Sequence, residues 1–416
     1  MKISLISASN FYENPSPIKI DKKTNEISLA VPTGKVQNKT EILRETLEKL
    51  SGSSANVCYT NKSMQEILDE NFSNTQKRLK HTVQSGHHSV CDHANLTLYL
   101  EDIPKLFAIL LNNEKDYSTS EKSGRYAPQN WDSNGEGKLC LKWQNIIREK
   151  IDEEYGDSVA YLDENRKNKL AQENGRYFLS VLEPTTKMVH TISWRQLNYE
   201  VCWMKEILEK KNQSTIIEKL KPTMKDFCEQ IEKLDLVYEG IVDGKNRTFS
   251  LFNDNQTDEE YFGRIYTTNY KGSFTQVAQA QRHRTIDYTI SIPQEFDFYV
   301  PEILKSDPDL VEEYKNDAES VKDKFPQGTM VNVTESGTYE AFKWKLLERK
   351  CARAQNEIRL QANITTQKYY DALKAKSDKL ADDLKNYLQA SRCKFPNYKC
   401  REVCGFKQGI SGERKI

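Results

Sequence analysis

The chain has 416 residues, 37% of them hydrophobic and 29% charged, enough for two ordinary domains with cores of their own. Lysine plus arginine and aspartate plus glutamate each number 61, so no global basic field speaks for a nucleic-acid partner, and an anionic ligand must be held by local clusters. Met1 to Ser9 is too short an apolar run for a secretory signal and no later run reaches a membrane span, so a cytoplasmic protein with no membrane partner is expected. The nine scattered cysteines suit free thiols in a reducing compartment. Cys393, Cys400 and Cys404 lack the paired short spacings of a zinc site, and no metal is expected.

Met1 to Ala8 reads as a first strand, followed by a loop rich in Asn, Pro and Lys. Thr40 to Leu50 and Ser63 to Lys80 carry helical spacing. Gly86-His87-His88-Ser89-Val90-Cys91-Asp92-His93 is a histidine-dense turn. His93 to Leu100 then alternates, with Ala94, Leu96, Leu98 and Leu100 on one face of a half-buried strand. Pro104 opens a short apolar helix through Leu111, since proline is tolerated in a first turn. A polar loop leads to Glu121-Lys122-Ser123-Gly124-Arg125-Tyr126. Thr186 to Trp194 predicts a strand that runs into a helix over Arg195 to Lys210, and the charged helix of Lys211 to Leu236 joins the two halves.

The second half repeats this layout. Gly272 to Arg284 predicts a helix ending in Gln279-Ala280-Gln281-Arg282-His283-Arg284. Thr329 to Thr334 predicts a strand, and Tyr339 to Leu360 one long amphipathic helix with Phe342, Leu346, Leu347, Cys351, Ala354 and Ile358 inward. Thr366 to Leu388 reads as a further charged helix. Two domains are expected, 1–225 and 226–416, related by an ancient duplication. The Arg-His-Arg cluster has a plain reading, since cations gather in the last turn of a helix where they complement its dipole. Its other reading is an anion site, because each guanidinium presents a fixed fork of donors.

Gly86-His87-His88-Ser89, the strand and apolar helix after it, and Glu121-Lys122-Ser123-Gly124-Arg125-Tyr126 together resemble the flavin-dependent thymidylate synthases. That family carries a histidine–serine turn, then an Arg-His-Arg segment running into a Ser-Gly-Arg-Tyr end. In the first half the Arg-His-Arg positions hold Asn113, Glu114 and Lys115. The second half keeps Arg282-His283-Arg284 but has no Ser-x-Arg-Tyr. The family's arginine at the start of a helix is matched by Arg195, whose second-half counterpart is Glu340. Its helix ending is nearly complete in Arg349-Lys350-Cys351-Ala352-Arg353-Ala354-Gln355-Asn356-Glu357-Ile358-Arg359 and missing from the first half. Each piece of the motif set occurs once, shared between halves that have lost opposite pieces.

The resemblance implies an α/β (α+β) fold of two diverged copies, each a mixed or antiparallel sheet with packed helices, associating as a homodimer that mimics the family's tetramer. It implies transfer of a one-carbon unit from methylenetetrahydrofolate to C5 of dUMP, with FAD as cofactor and NADPH as reductant. Hydroxymethylation of dUMP, or an inactive nucleotide- or flavin-binding paralogue, are the alternative outcomes. By the same resemblance Ser123 and Arg359 are the catalytic candidates. Gln279, Arg282, Glu121, Ser123, Gly124, Arg125, Arg195 and Arg359 would hold the nucleotide, and His87, Ser89, Glu121, Arg282, His283, Arg284 and Arg349 the flavin. Serine before glycine is also common in plain loops, and Arg349 and Arg359, ten residues apart on one predicted helix, are otherwise two solvated cations.

Overall fold

The computed structural model describes residues 1–9, 18–20, 27–29, 39–124, 135–159, 161–211, 213–241, 245, 247–253, 257–388, 391–401, 404 and 414–416. In chain order the elements are β1 (Lys2–Ala8), β2 (Ile18–Ile20), β3 (Ile27–Leu29), α1 (Lys39–Val57), α2 (Met64–Leu68), α3 (Phe72–Gln84), β4 (Asn95–Ile103), α4 (Lys105–Leu111) and β5 (Tyr117–Glu121). They continue with α5 (Gly135–Tyr155), α6 (Glu164–Gly175), β6 (Thr186–Ser193), α7 (Trp194–Glu209), α8 (Thr215–Lys233), β7 (Tyr261–Phe262), β8 (Ile265–Ser273), α9 (Phe274–Ala280) and β9 (Ile286–Ser291). The last are α10 (Pro308–Ser320), β10 (Met330–Thr338), α11 (Tyr339–Arg349), α12 (Asn356–Ala375) and α13 (Leu380–Leu384).

Each half of the sequence builds one four-stranded sheet, in the orders β1-β4-β6-β5 and β7-β8-β10-β9. The two orders are the same topology. In each, an edge strand flanks a strand that leads into a short helix, the next strand returns along the opposite edge, and the last strand inserts between. β4, α4, β5, β6 and α7 thus correspond to β8, α9, β9, β10 and α11. The pairings of β1 with β4, β5 with β6, β7 with β8, and β10 with both β8 and β9 are antiparallel. The chain is therefore an α/β protein of two like sheets with packed helices.

The correspondence can be numbered. Pro104 caps α4 and Ser273 caps α9, 169 positions apart, and β5 and β9 begin at Tyr117 and Ile286, again 169 apart. Asn113, Glu114 and Lys115 therefore stand where Arg282, His283 and Arg284 stand. Ser193 and Thr338 cap α7 and α11, so Arg195 corresponds to Glu340.

The compact units interleave in sequence: residues 1–103, 116–121 and 187–248 form one, and 104–115, 122–186 and 249–416 the other. In the first, β4 alternates as its sequence dictates, with Leu96, Leu98 and Leu100 inward. α7 buries Trp194, Leu197, Val201, Trp203 and Met204, and α8 turns Leu220, Met224, Phe227 and Ile231 inward. In the second, Trp143, Phe178, Phe298 and Tyr314 form the middle of one aromatic core, while Tyr266, Phe342 and Tyr369 centre another.

Several boundaries differ from the sequence expectation. The helix expected over Tyr339 to Leu360 breaks at 350–355, so Arg349 closes α11 while Arg359 lies in the first turns of α12. The expected shared helical face of these two arginines does not exist. The break turns Gln355 inward, where its side chain is buried and hydrogen-bonded, and burial of that amide outweighs the helical periodicity. The helix expected over Gly272 to Arg284 is only α9, because Gly272 and Ser273 finish β8. The helix of Ser63 to Lys80 divides at Asn71, which caps α3. That of Thr366 to Leu388 is the end of α12 and then α13. The strand predicted at Thr329 to Thr334 runs on to Thr338, and β5, β8 and β9, too polar or too short to stand out, are additional strands.

Candidate functional site

Two polar clusters gather most of the singled-out residues, one in each compact unit. In the first unit the turn after α3 carries His87 and Ser89 on the surface, while His88 is buried. His88 Nδ1 lies 2.8 Å from the Tyr199 hydroxyl and Nε2 3.1 Å from the Val83 carbonyl oxygen, so both ring nitrogens are spent on structure. The Arg195 Nη2 pairs with Asp92 Oδ2 at 2.8 Å, and its guanidinium lies 5.7 Å from the Tyr199 ring centroid. Asp92 also accepts from Ser193 Oγ, the cap of α7. The histidine turn and Arg195 are thus tied together by one carboxylate. Glu121 ends β5, half-buried, opposite Met188.

The second unit brings together motif pieces far apart in the chain. Arg349 Nε donates to His283 Nε2 at 2.7 Å, and its Nη2 donates to the Gln279 carbonyl oxygen at 2.9 Å. One guanidinium therefore fixes both the end of α9 and the segment after it. Because His283 Nε2 accepts, the neutral ring carries its proton on Nδ1. Burial, then the positive Arg349 beside it, push His283 down to about 2, so the imidazole is neutral at any working pH. Arg282 and Arg284 flank it on the surface.

The Gln279 amide also bonds the side chain of Gln355, whose own amide nitrogen donates to the Tyr177 hydroxyl. Tyr177 donates to Glu357 Oε2 at 2.9 Å, and that carboxylate accepts from Ser273 N at 2.8 Å and Ser273 Oγ at 2.7 Å. Desolvation raises the Glu357 pKa against these donors. Since all three partners donate, the geometry is that of an acceptor carboxylate. Glu357 thus locks the start of α12 to the start of α9. Arg359, two residues on, is completely buried, with Nε donating to Asn356 Oδ1 at 3.0 Å and Nη2 to the Arg414 carbonyl oxygen at 3.1 Å.

Ser123 and Gly124 lie half-buried in the same unit. A side chain at Gly124 would collide with the Arg176 guanidinium, and the Gly124 carbonyl oxygen accepts from Gln172 Nε2 at 3.2 Å. Arg125 lies outside the described residues.

The first-half counterparts of the Arg-His-Arg cluster have become packing residues. Asn113 donates to Ser250 Oγ at 2.7 Å and to the Tyr288 carbonyl oxygen at 2.8 Å. Glu114, buried, accepts from Ser250 N at 2.6 Å and Ser250 Oγ at 2.8 Å, while Lys115 bonds the Ile286 carbonyl oxygen and Asp287. Gln281 reaches Asn113 Oδ1 at 2.8 Å and the Ile109 carbonyl oxygen at 3.1 Å, joining the corresponding helices α4 and α9.

Residues 41–207 match the family model described as thymidylate synthase complementing protein. The match covers less than half of the chain. Among curated proteins none matches this sequence. Among solved structures, a UMP/dUMP methylase, PolB, from Streptomyces cacaoi bound with 5-Br dUMP is 14% identical, with 48% of this chain and 91% of that one covered at a TM-score of 0.27. The flavin-dependent thymidylate synthase ThyX from Helicobacter pylori, complexed with FAD and dUMP, is 14% identical over 46% of this chain and 96% of its own, also at 0.27. A second structure of it with FAD and dUMP is 15% identical, covering 47% and 94%, at 0.28.

The thymidylate synthase complementing match spans His87, Ser89, Glu121, Ser123 and Arg195, and ends before α9. Gln355 and Glu357 were within reach of sequence reasoning, because both sit inside the Ala-Gln-x-Glu-Ile-Arg run. Tyr177 and Ser273 carry no sequence signal; only the fold brings them to Glu357. No helix among the described residues is long and apolar enough to cross a membrane.

Proposed function

We propose that this chain is a flavin-dependent enzyme that modifies dUMP at C5, methylating it to dTMP with methylenetetrahydrofolate as the one-carbon donor and NADPH as reductant. The supporting observation is the meeting of the Arg-His-Arg segment with the Arg…Gln-x-Glu-Ile-Arg segment through Arg349, Gln279 and Gln355. Two motif pieces about seventy residues apart in sequence share one hydrogen-bonded cluster, as residues serving one ligand must.

Arg282 and Arg284 suit a diphosphate, since they are surface guanidiniums on one short turn. Neutral His283, oriented by Arg349, presents an Nδ1–H donor and no charge of its own. FAD, bound and reduced by NADPH, would supply the hydride that turns the transferred carbon into methyl. Arg359 and Arg195 are each assigned as guanidiniums suited to the nucleotide and to negative charge developing on a pyrimidine, and Ser123 to orienting the ring. His87, Ser89, Glu121 and Arg349 complete the flavin side, and Gly124 and Arg125 the nucleotide side. The chain works as a homodimer.

The purified protein should be yellow, with a flavin absorption band near one FAD per chain, and should release tritium from [5-³H]dUMP when supplied with methylenetetrahydrofolate and NADPH. A colourless protein that binds neither FAD nor dUMP would overturn the reading. Formation of hydroxymethyl-dUMP in place of dTMP would keep the site and replace the reaction.

A further inference from the structure

Residues 414–416 come back to the start of α12 and close over Arg359. The Arg414 guanidinium donates to the Ala354 carbonyl oxygen at 2.6 Å and to that of Ala352. Its own carbonyl oxygen accepts from Arg359 Nη2 at 3.1 Å and from Asn356 Nδ2 at 3.4 Å. Lys415 N donates to the Tyr155 hydroxyl at 2.8 Å, and its ammonium reaches Glu154 at 2.7 Å. Ile416, 1% exposed, is seated in the aromatic core around Trp143. With this contact among those around it, Arg359 is 0% exposed, so a ligand of nucleotide size reaches it only if the residues covering it move.

The closed arrangement gathers like charges. Arg414 stands close enough to Arg359 to disfavour its charge, and Arg359 does the same to the buried Lys350. After burial, which is the larger cause, these neighbours bring Arg359 down to about 10 and Lys350 to about 8. An anion offered to Arg359 would take over the acceptor place of the Arg414 carbonyl and neutralise that repulsion. A main-chain carbonyl is a weaker partner for a guanidinium than a phosphate or an enolate oxygen.

We propose that Arg414–Ile416 is an intramolecular strap that occupies the ligand-facing side of Arg359 and withdraws when an anionic nucleotide binds. The inference rests on the reading of Arg359 as a nucleotide ligand. Its energetic consequence is that the apparent nucleotide affinity equals the intrinsic affinity multiplied by the fraction of chains in which the strap is open.

Two variants loosen the strap through unrelated contacts and leave Arg359 untouched. Arg414→Ala removes the bonds to Ala352 and Ala354, and Ile416→Ser weakens the apolar anchor. In calorimetric titration of the 416-residue chains with dUMP, both variants should bind about 5- to 10-fold more tightly than the unaltered chain, the effect of a strap closed in roughly nine chains of ten. Addition of dUMP to the unaltered chain should also speed amide exchange at 414–416. Equal affinity in all three proteins would overturn the strap and leave the functional reading intact. Weaker binding by both variants, with flavin content unchanged, would make Arg414 a support for Arg359 and overturn the strap as well. Absence of dUMP binding in all three would overturn the functional reading and the strap with it.

Discussion

At the scale of single residues, Gln279, Arg349 and Arg359 are buried and engaged, and the titration of His283 follows from its place among such neighbours. His283 is held down to about 2 by burial and by Arg349, against 6.5 for an ordinary imidazole. The folded chain keeps the ring neutral, whereas the unfolded chain takes up a proton below about pH 6.5. Stability is therefore undiminished above that pH and is lost as pH falls from there toward about 2. His283→Gln should flatten this loss, so urea midpoints at pH 7 and pH 5 should lie closer together than in the unaltered chain. Equal separation in both would show that His283 does not titrate in this way. Lys345 and Glu335 make a second test. They are 1% and 0% exposed and ion-paired, with Glu335 also accepting from Tyr266 at 2.7 Å and Tyr270 at 2.8 Å. Desolvation lowers the Lys345 pKa against the pull of Glu335. Lys345→Met should cost about 3–5 kcal/mol in chemical denaturation, because it strands a buried carboxylate, while Lys345→Met with Glu335→Gln should recover much of that. If the double variant is no better than the single, the pair is not what the carboxylate depends on.

At the scale of elements, Glu357 is the joint between α9 and α12. It accepts from the cap residue of α9 by both backbone and side chain, and from Tyr177 in the core. Glu357→Gln would set an amide NH₂ against one of these donors and should cost about 1–3 kcal/mol. The more telling readout is flavin retention, because the far end of α9 carries Gln279 and leads into Arg282-His283-Arg284. Loss of stability with full flavin binding would make Glu357 a packing residue only. The duplicated elements show the same logic in reverse. α4 matches α9 in place and length, yet Asn113, Glu114 and Lys115 now bond Ser250 and β9. That segment is tied into the fold, whereas Arg282 and Arg284 at the corresponding places stand on the surface.

At the scale of the whole molecule, the divided motif set predicts which charges matter. Arg195→Gln removes a guanidinium assigned to the nucleotide and should weaken dUMP binding by about 2–5 kcal/mol, some 30-fold or more. Because Arg195 is paired with Asp92 at 2.8 Å, Asp92→Asn is the control: it removes the pair but keeps the cation, and affinity should hold. Glu340→Arg, which restores an arginine at the corresponding place in the other half, should change little, since Glu340 faces Lys343 on the surface. Comparable effects of Arg195→Gln and Glu340→Arg in a dUMP titration would show that the halves do not divide the work. Sedimentation should give a dimer; a monomer with full flavin and nucleotide binding would remove the need for a second chain.

What was legible in the sequence follows from local physics. Alternation marked β4, the strand of β6 running into α7 was readable from its residues, and the split motifs pointed to two related halves, which the matching strand orders share. The polar strands β5, β8 and β9 were not legible, because their periodicity is weak and their partners are distant. The break between α11 and α12 was hidden for a related reason. Residues 350–355 have helical spacing, and only the buried partners of Gln355 make leaving the helix favourable. Tertiary structure alone decided that Arg349 meets His283, that Tyr177 and Ser273 share Glu357, and that Arg414 covers Arg359. Each of these joins groups 55 to 180 residues apart. A pattern along the chain encodes which face of an element is buried, but not which distant donor will satisfy a buried acceptor on it.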